Sequence, residues 1–577
     1  MNPSDAPATG ARQRLLGVNG WLAIALLVPF IWATTARGDA FPLYLFQTQD
    51  MPVIGGLIAL LLLTDRWSPR WTLPTARLSF GHVLAAGIAI ALLLWLGCYA
   101  LLGNYPLSRD EHMVVFDMGV FAHGHLAEPI AAQWRPFAVD LVPAFLLQEK
   151  MPVGLVSDYL PGNAALRLIF SYVADPALMN PLLVLCGGLA LFDIARRLFG
   201  DDSRAIWVAL LTYALSAQVA VNAMLPYAMT AHMALNLLWL AAFLRGRWWH
   251  VAAILTGLIA TGLHQIVFHP LFVAPFLLWR LRDGHWRLVL AYGAAYAAIC
   301  GWWITYPVLA SMQAGAGTLG DAPHSFFADR VLPLLLDRDP MTLPLMTLNL
   351  LRFVAWQNLA LLPLLAIAAP LALNTRSIVA PMFWGALGAI LFFGFILPYQ
   401  GHGWGYRYLH PYLGSFVLLA AFGYRRLASM KGQMADGMVV LLSAATLFGS
   451  MPHLVDRTRT FFVPHLALER FIARQQGDFV LVDTERMART TDGAWAREVV
   501  DQVRNLPDLS NRPLRFSSRA MRQMQLAELC RRGTVTLITR ADMRSIGFAP
   551  NAVPAPHFDA MIETTRRAYP RCFRKAD

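Results

Sequence analysis

Charge is what this chain has least of. Only 14% of its 577 residues are Asp, Glu, Lys or Arg, against about 25% in soluble domains. That shortage excludes a water-exposed globular surface over most of the length. No cleavable leader is visible either: the apolar run at 21–33 lacks a small-residue cleavage site and reads as a retained first span. Cysteine is scarce, with five in all. Cys98, Cys186 and Cys300 lie in apolar runs, while Cys530 and Cys572 lie in the C-terminal tail and can pair if that tail is extracytoplasmic. Repeated halves and ionisable residues at mid-span, the marks of a secondary transporter, are not evident. The net charge of +12 is spread over short loops and the tail, which argues against a nucleic-acid footprint.

What is present is apolar. Hydrophobic residues make up 57% of the chain and aromatics 12%, with a mean hydropathy of +0.48. These values predict an α-helical polytopic membrane protein. Runs near the 20 residues that a helix needs to cross a bilayer fall at about 20–36, 50–64, 80–103, 178–195, 206–222, 229–244, 250–264, 266–280, 288–309, 350–372, 378–398, 410–424 and 437–451. The count is about thirteen transmembrane helices.

Loop charges orient them. Arg196/Arg197/Arg204, Arg245/Arg247, Arg280/Arg282/Arg287, Arg376 and Arg425/Arg426/Lys431 fall on one side if the spans alternate. The acidic first loop, the Asp321–Asp339 loop and the Tyr399–Tyr408 loop fall on the other. Cationic short loops stay cytoplasmic, which puts the N-terminus inside and the C-terminus outside. Three regions follow: 1–78, a stub with two spans; 79–451, a transmembrane module with long loops at 104–177 and 310–342; and 452–577, an extracytoplasmic tail. In the tail, Phe479–Val482 and Val535–Ile538 read as buried strands, and Ala494–Val503 and Ala520–Arg531 as helices, predicting a small α/β domain. It holds no Gly-rich phosphate loop.

The chemistry-bearing residues cluster at the outer ends of the spans. Asp110 and Glu111 open the first long loop, whose acids outnumber its bases. Adjacent carboxylates there can act as a general base or bind a divalent metal ion; the plain alternative is a solvated helix start. Asp158 and Tyr159 precede a Pro161-Gly162 turn. The run Gly401-His402-Gly403-Trp404-Gly405-Tyr406-Arg407-Tyr408 offers close backbone approach, aromatic walls and one guanidinium suited to phosphate. His232, His264 and His269 are further substrate-binding candidates, although each singly is more often a packing residue. Arg352 lies in a largely apolar run and is a donor-site candidate unless its helix begins just after it.

Together these features resemble the GT-C superfamily of integral membrane glycosyltransferases, in kind the protein O-mannosyltransferases and bacterial lipid A aminoarabinose transferases. The resemblance covers roughly 80–451. It implies catalytic Asp110 with Glu111 beside it, and a polyprenyl-phosphate sugar as donor. It further implies that Arg407 contacts the donor's phosphate. From the residues themselves, His402, Trp404, Tyr406, Tyr408 and Arg352 are the further donor-site candidates, and Asp158, Tyr159, His232, His264 and His269 the substrate-site candidates. The acceptor would be a lipid, glycan or protein, with no nucleic acid involved, and the location a bacterial inner membrane. No cofactor is implied beyond a divalent metal ion, whose requirement stays open because Asp321, Asp329, Asp337 and Asp339 compete as a second acid. The two spans ahead of the catalytic one depart from the family layout. A transporter, or a non-catalytic assembly protein that would tolerate loss of Asp110, is the rival reading.

Overall fold

Lipid offers the backbone no hydrogen-bond partner, so long apolar runs become helices that satisfy themselves. A computed structural model describes residues 17–38, 40–141, 146, 153–315, 332, 336, 340–396, 401, 403–484, 503–548 and 556–576. Among the described residues, eight helices are long and apolar enough to cross a membrane. They are Val18–Thr35, Phe41–Arg66, Phe80–Ala100, Pro176–Phe199, Ala228–Arg245, Trp286–Gln313, Val379–Ile396 and Gln433–Ala473. The chain is an integral membrane protein.

The expected thirteen is not reached on these criteria, for local reasons. The 206–222 run is two helices, Ser203–Ala214 and Ala217–Ala223, bent by 51°; counted as one span they bring the total to nine. Ser216 caps the second of them, its hydroxyl accepting from the Val219 amide at 3.1 Å. The 350–372 run is likewise broken. Thr342–Ala355 ends at Trp356, and the Asn358 side chain accepts from the Ala360 amide at 2.9 Å before Leu361–Leu373 begins. Trp249–Thr261 is also a short apolar helix. In the other direction, the second span starts at Phe41, ahead of its expected position, and the last helix runs past 452 to Ala473.

Beyond that helix lies a four-stranded parallel sheet in the order Leu514–Ser517, Phe479–Val482, Val535–Ile538, Phe573–Arg574. Both expected strands are present. Every residue of Phe479–Val482 is buried, as a parallel strand covered on both faces requires. The expected helix 520–531 is Gln523–Arg532; that at 494–503 lies, but for Val503, outside the described residues. Cys530 and Cys572 are disulfide-bonded.

This sheet packs against the first long loop. Trp134 of the loop sits 6.1 Å from the Phe479 ring and 6.2 Å from Phe516. Arg504 lies 4.3 Å over the Tyr105 ring and donates to the Leu107 carbonyl at 3.1 Å. The tail therefore braces the segment that leads into Asp110.

Candidate active site

Asp110 and Glu111 stand in the first turn of helix Arg109–Ala122. Ser108 caps it, accepting from the Glu111 amide at 3.2 Å; a cap of this kind is worth about 1 kcal/mol. Acidic residues there also complement the helix dipole. The two carboxylates point to different places. Glu111 is fully buried, with one oxygen accepting from the Leu107 amide at 2.7 Å and the other without a partner among the described residues. Asp110 instead faces residues far away in sequence.

One Asp110 oxygen accepts from the Tyr159 phenol. The other accepts from Arg407 Nη1 at 2.7 Å, across 297 residues. Their side chains keep 16% and 6% of their exposure, so the pair sits at a rim that is nearly closed. The Arg407 guanidinium also lies 4.4 Å over the Tyr227 ring, and the Tyr227 phenol donates to Ser108 at 2.7 Å. The His264 ring lies tilted against Tyr159, 4.4 Å between ring centroids. The Pro161-Gly162 turn holds Tyr159 in place because Gly162 lies directly against backbone: its amide donates to the Gly262 carbonyl at 2.7 Å, and a Cβ there would fall 2.5 Å from that oxygen.

The electrostatics follow from this packing. Burial raises the Asp110 carboxyl, but the Arg407 charge, the nearby His264 and the bonds from Tyr159 and Arg407 outweigh it and hold Asp110 at about 2. Glu111 has no such counter-charge in contact, and burial lifts it to about 7. Burial lowers His264 to about 4, against the pull of Asp110. For Arg407, the burial penalty is overcome by Tyr227 and Asp110, and the guanidinium stays firmly charged.

Arg407 is placed by an unusual loop. Gly401, Gly403 and Gly405 have φ of 74°, 126° and 77°, a region that L side chains avoid. Space is also lacking: a Cβ on Gly401 would meet Tyr408 at 2.7 Å, and one on Gly405 would meet Gln218 at 2.4 Å. The Arg407 amide donates to the Gly401 carbonyl at 2.7 Å. Asn222 donates to the Trp404 carbonyl at 3.2 Å and Gln218 to the Tyr406 carbonyl at 3.0 Å.

The remaining candidates divide. His264 and Tyr159 join Asp110 and Arg407. Asp158 is exposed on the turn. His269 is held between Asn236 and Tyr296, both at 2.7 Å, which is the packing role. His232 is fully buried 5.3 Å from the Phe268 ring, with neither nitrogen bonded among the described residues. Trp404, Tyr406 and Tyr408, expected to wall a head group, are buried: Trp404 against Trp356, Phe461 and Phe462, Tyr408 against Phe268 and Phe393. His402 lies outside the described residues, as do Asp321, Asp329, Asp337 and Asp339. Arg352 is not in solvent at a helix start. It lies inside helix Thr342–Ala355, fully buried, donating to Asp50 at 2.6 Å and to the Gly403 carbonyl.

Asp50 is the residue that the sequence reading passes over. Its signal in the sequence is an acid beside an apolar span, with one unmatched arginine in another. A divalent metal ion does not fit Asp110 and Glu111 as they stand. Asp110 is committed to Arg407 and Tyr159, Glu111 turns away, and no group of three or more His, Cys, Asp or Glu converges among the described residues.

No protein-family model matches the chain, and no curated protein does. The fold is similar to the crystal structure of ArnT from Cupriavidus metallidurans bound to undecaprenyl phosphate, at 16% identity and a TM-score of 0.46, covering 72% of this chain and 85% of that one. The apo form of the same protein gives 14% identity and a TM-score of 0.43, covering 71% and 84%. Likenesses this distant leave the function to be argued from the site itself.

Proposed function

We propose that the protein is a membrane glycosyltransferase that moves a sugar from a polyprenyl-phosphate donor to an extracytoplasmic acceptor hydroxyl, with inversion. The observation that carries this reading is the Asp110–Arg407 contact at 2.7 Å. It brings together a carboxylate that can act as base and a guanidinium whose fork can bind phosphate.

The paired state is a resting state. With Arg407 in contact, Asp110 holds a proton too weakly to be a good base. A donor phosphate competes for the same guanidinium, whose planar donors match phosphate oxygens. As Arg407 turns to the phosphate, Asp110 loses its counter-charge and its basicity rises. It then takes the proton from the acceptor hydroxyl while that oxygen bonds to the sugar's anomeric carbon. The bond from that carbon to the phosphate oxygen breaks, its electron pair leaves with the phosphate, and Arg407 stabilises the developing charge. Tyr159 keeps the carboxylate aimed.

Charge alternation among the loops supports placing Asp110, Arg407 and the tail outside the cytoplasm. Single-cysteine labelling of intact cells at loop positions and in the tail tests this; a tail reached only after permeabilisation overturns it. The reaction itself is tested by incubating purified protein with polyprenyl-phosphate sugars. An assembly protein would keep its cellular role after loss of Asp110, and an enzyme would not.

A further inference from the structure

We infer that Asp50 is the positioning residue of the phosphate-binding loop, acting through Arg352 on the backbone that carries Arg407. This rests on the reading of Arg407 as the donor's phosphate ligand.

Asp50 ends a π-helical turn, Phe46–Asp50, inside the span Phe41–Arg66. Such turns inside helices recur at functional positions. Both of its oxygens are used: one accepts from Arg352 Nε and the other from Trp356 Nε1, each at 2.6 Å. Asp50 and Arg352 have no exposed side-chain surface. The Arg352 fork is thereby fixed in plane, and its Nη2 donates to the Gly403 carbonyl. Gly403 lies against Arg407: a Cβ there would fall 3.2 Å from Arg407 Nε. Trp356, the other ligand of Asp50, packs 6.2 Å from Trp404 of the same loop. The preceding residue is tied as well, the Gln49 carbonyl bonding His453 Nε2 at 2.9 Å. The chain of contact thus runs from the second span to Arg352 and Trp356, then to Gly403 and Trp404, and so to Arg407.

A buried ion pair need not be there for stability, since well-packed apolar residues often serve equally well. What an apolar pair cannot do is grip a carbonyl. The guanidinium does that here, and Asp50 is what orients it and balances its charge. The second span, which stands ahead of the catalytic module, therefore takes part in the site.

The test compares Asp50→Asn, which leaves Arg352 charged and unmatched, with the double variant Asp50→Leu/Arg352→Met, which removes both charges. The full chain is used in lipid nanodiscs. Hydrogen exchange at the Arg407 amide, without donor, reads the loop directly. The double variant should unfold at the wild-type temperature yet exchange at Arg407 at least about tenfold faster, with faster exchange also in Asp50→Asn. Dissociation constants for polyprenyl phosphate should rise at least about tenfold in both. Wild-type exchange at Arg407 in a folded variant of either kind overturns the inference. Faster exchange with unchanged binding of polyprenyl phosphate also overturns it, since the loop would then move without consequence for the ligand. If the wild-type protein itself fails to bind polyprenyl phosphate, the proposed donor is wrong, while the exchange result still decides whether Asp50 holds the loop.

Discussion

Two Asp–Arg pairs among the described residues are largely closed to solvent, and they differ in almost everything except chemistry. Asp50–Arg352 has no exposed surface, and both carboxylate oxygens are engaged. Asp110–Arg407 keeps 16% and 6% exposure and rests on a tyrosine face. Removing one partner of a dry pair leaves an uncompensated buried charge, at a cost of roughly 3–5 kcal/mol. A pair at a rim can exchange one partner for an incoming ligand of the same sign. The first pair is built to stay and the second to open.

The sharpest way to break the comparison is to neutralise each acid in turn. Asp110→Asn should lower transfer by about 10²–10⁴-fold, the usual contribution of a general base, while expression and unfolding temperature hold. Near-normal transfer in that variant would remove Asp110 from the mechanism. Asp50→Asn should do the reverse in kind, destabilising the fold by roughly 3–5 kcal/mol in denaturant titration. Equal stability losses in the two variants would erase the distinction.

A smaller effect sharpens it. Since Asp110 competes with the donor phosphate for Arg407, Asp110→Asn should bind polyprenyl phosphate several-fold more tightly than wild type, even as transfer fails. Weaker binding would show that Asp110 holds Arg407 in its working position. For the same reason the acidic limb of kcat should lie at higher pH than that of kcat/KM, which reports the free enzyme with Asp110 held at about 2.

Glu111 changes stability alone. Its folded value of about 7 lies above the ordinary 4.5, so the folded state holds the proton more tightly. Its contribution is present below about 4.5 and is lost as pH rises to about 7. Asp117 and Asp140, also raised to about 7 by burial, act with the same sign. Glu111→Gln should therefore lessen the fall in stability over that window by up to about 3 kcal/mol without abolishing it. An unaltered slope would show that Glu111 is ionised in the folded protein.

The comparison also explains what could be read in advance. Apolar runs announce helices because lipid permits little else, and Asp110, Glu111 and Arg407 stand out because charge is scarce in this chain. Breaks at Ser216 and Asn358 were invisible to a hydropathy window, since single capping side chains make them. Tyr159 reads from sequence as part of a turn, and the approach of Gly162 to Gly262 is what the sequence does not show. The Asp50–Arg352 pair spans 302 residues; each partner stands out among apolar neighbours, and only the fold shows that the two meet. Trp404, Tyr406 and Tyr408 have the composition of a ligand wall, and only packing shows that they face inward.

The most direct measurement is binding of polyprenyl phosphate to the wild-type protein and to Arg407→Ala, with thermal unfolding of both. A charge-assisted hydrogen bond contributes roughly 1.5–3 kcal/mol, about one to two decades in affinity. Binding should weaken by that factor at an unchanged unfolding temperature, with Arg407→Lys in between. A well-folded Arg407→Ala protein that binds polyprenyl phosphate like wild type would contradict the account.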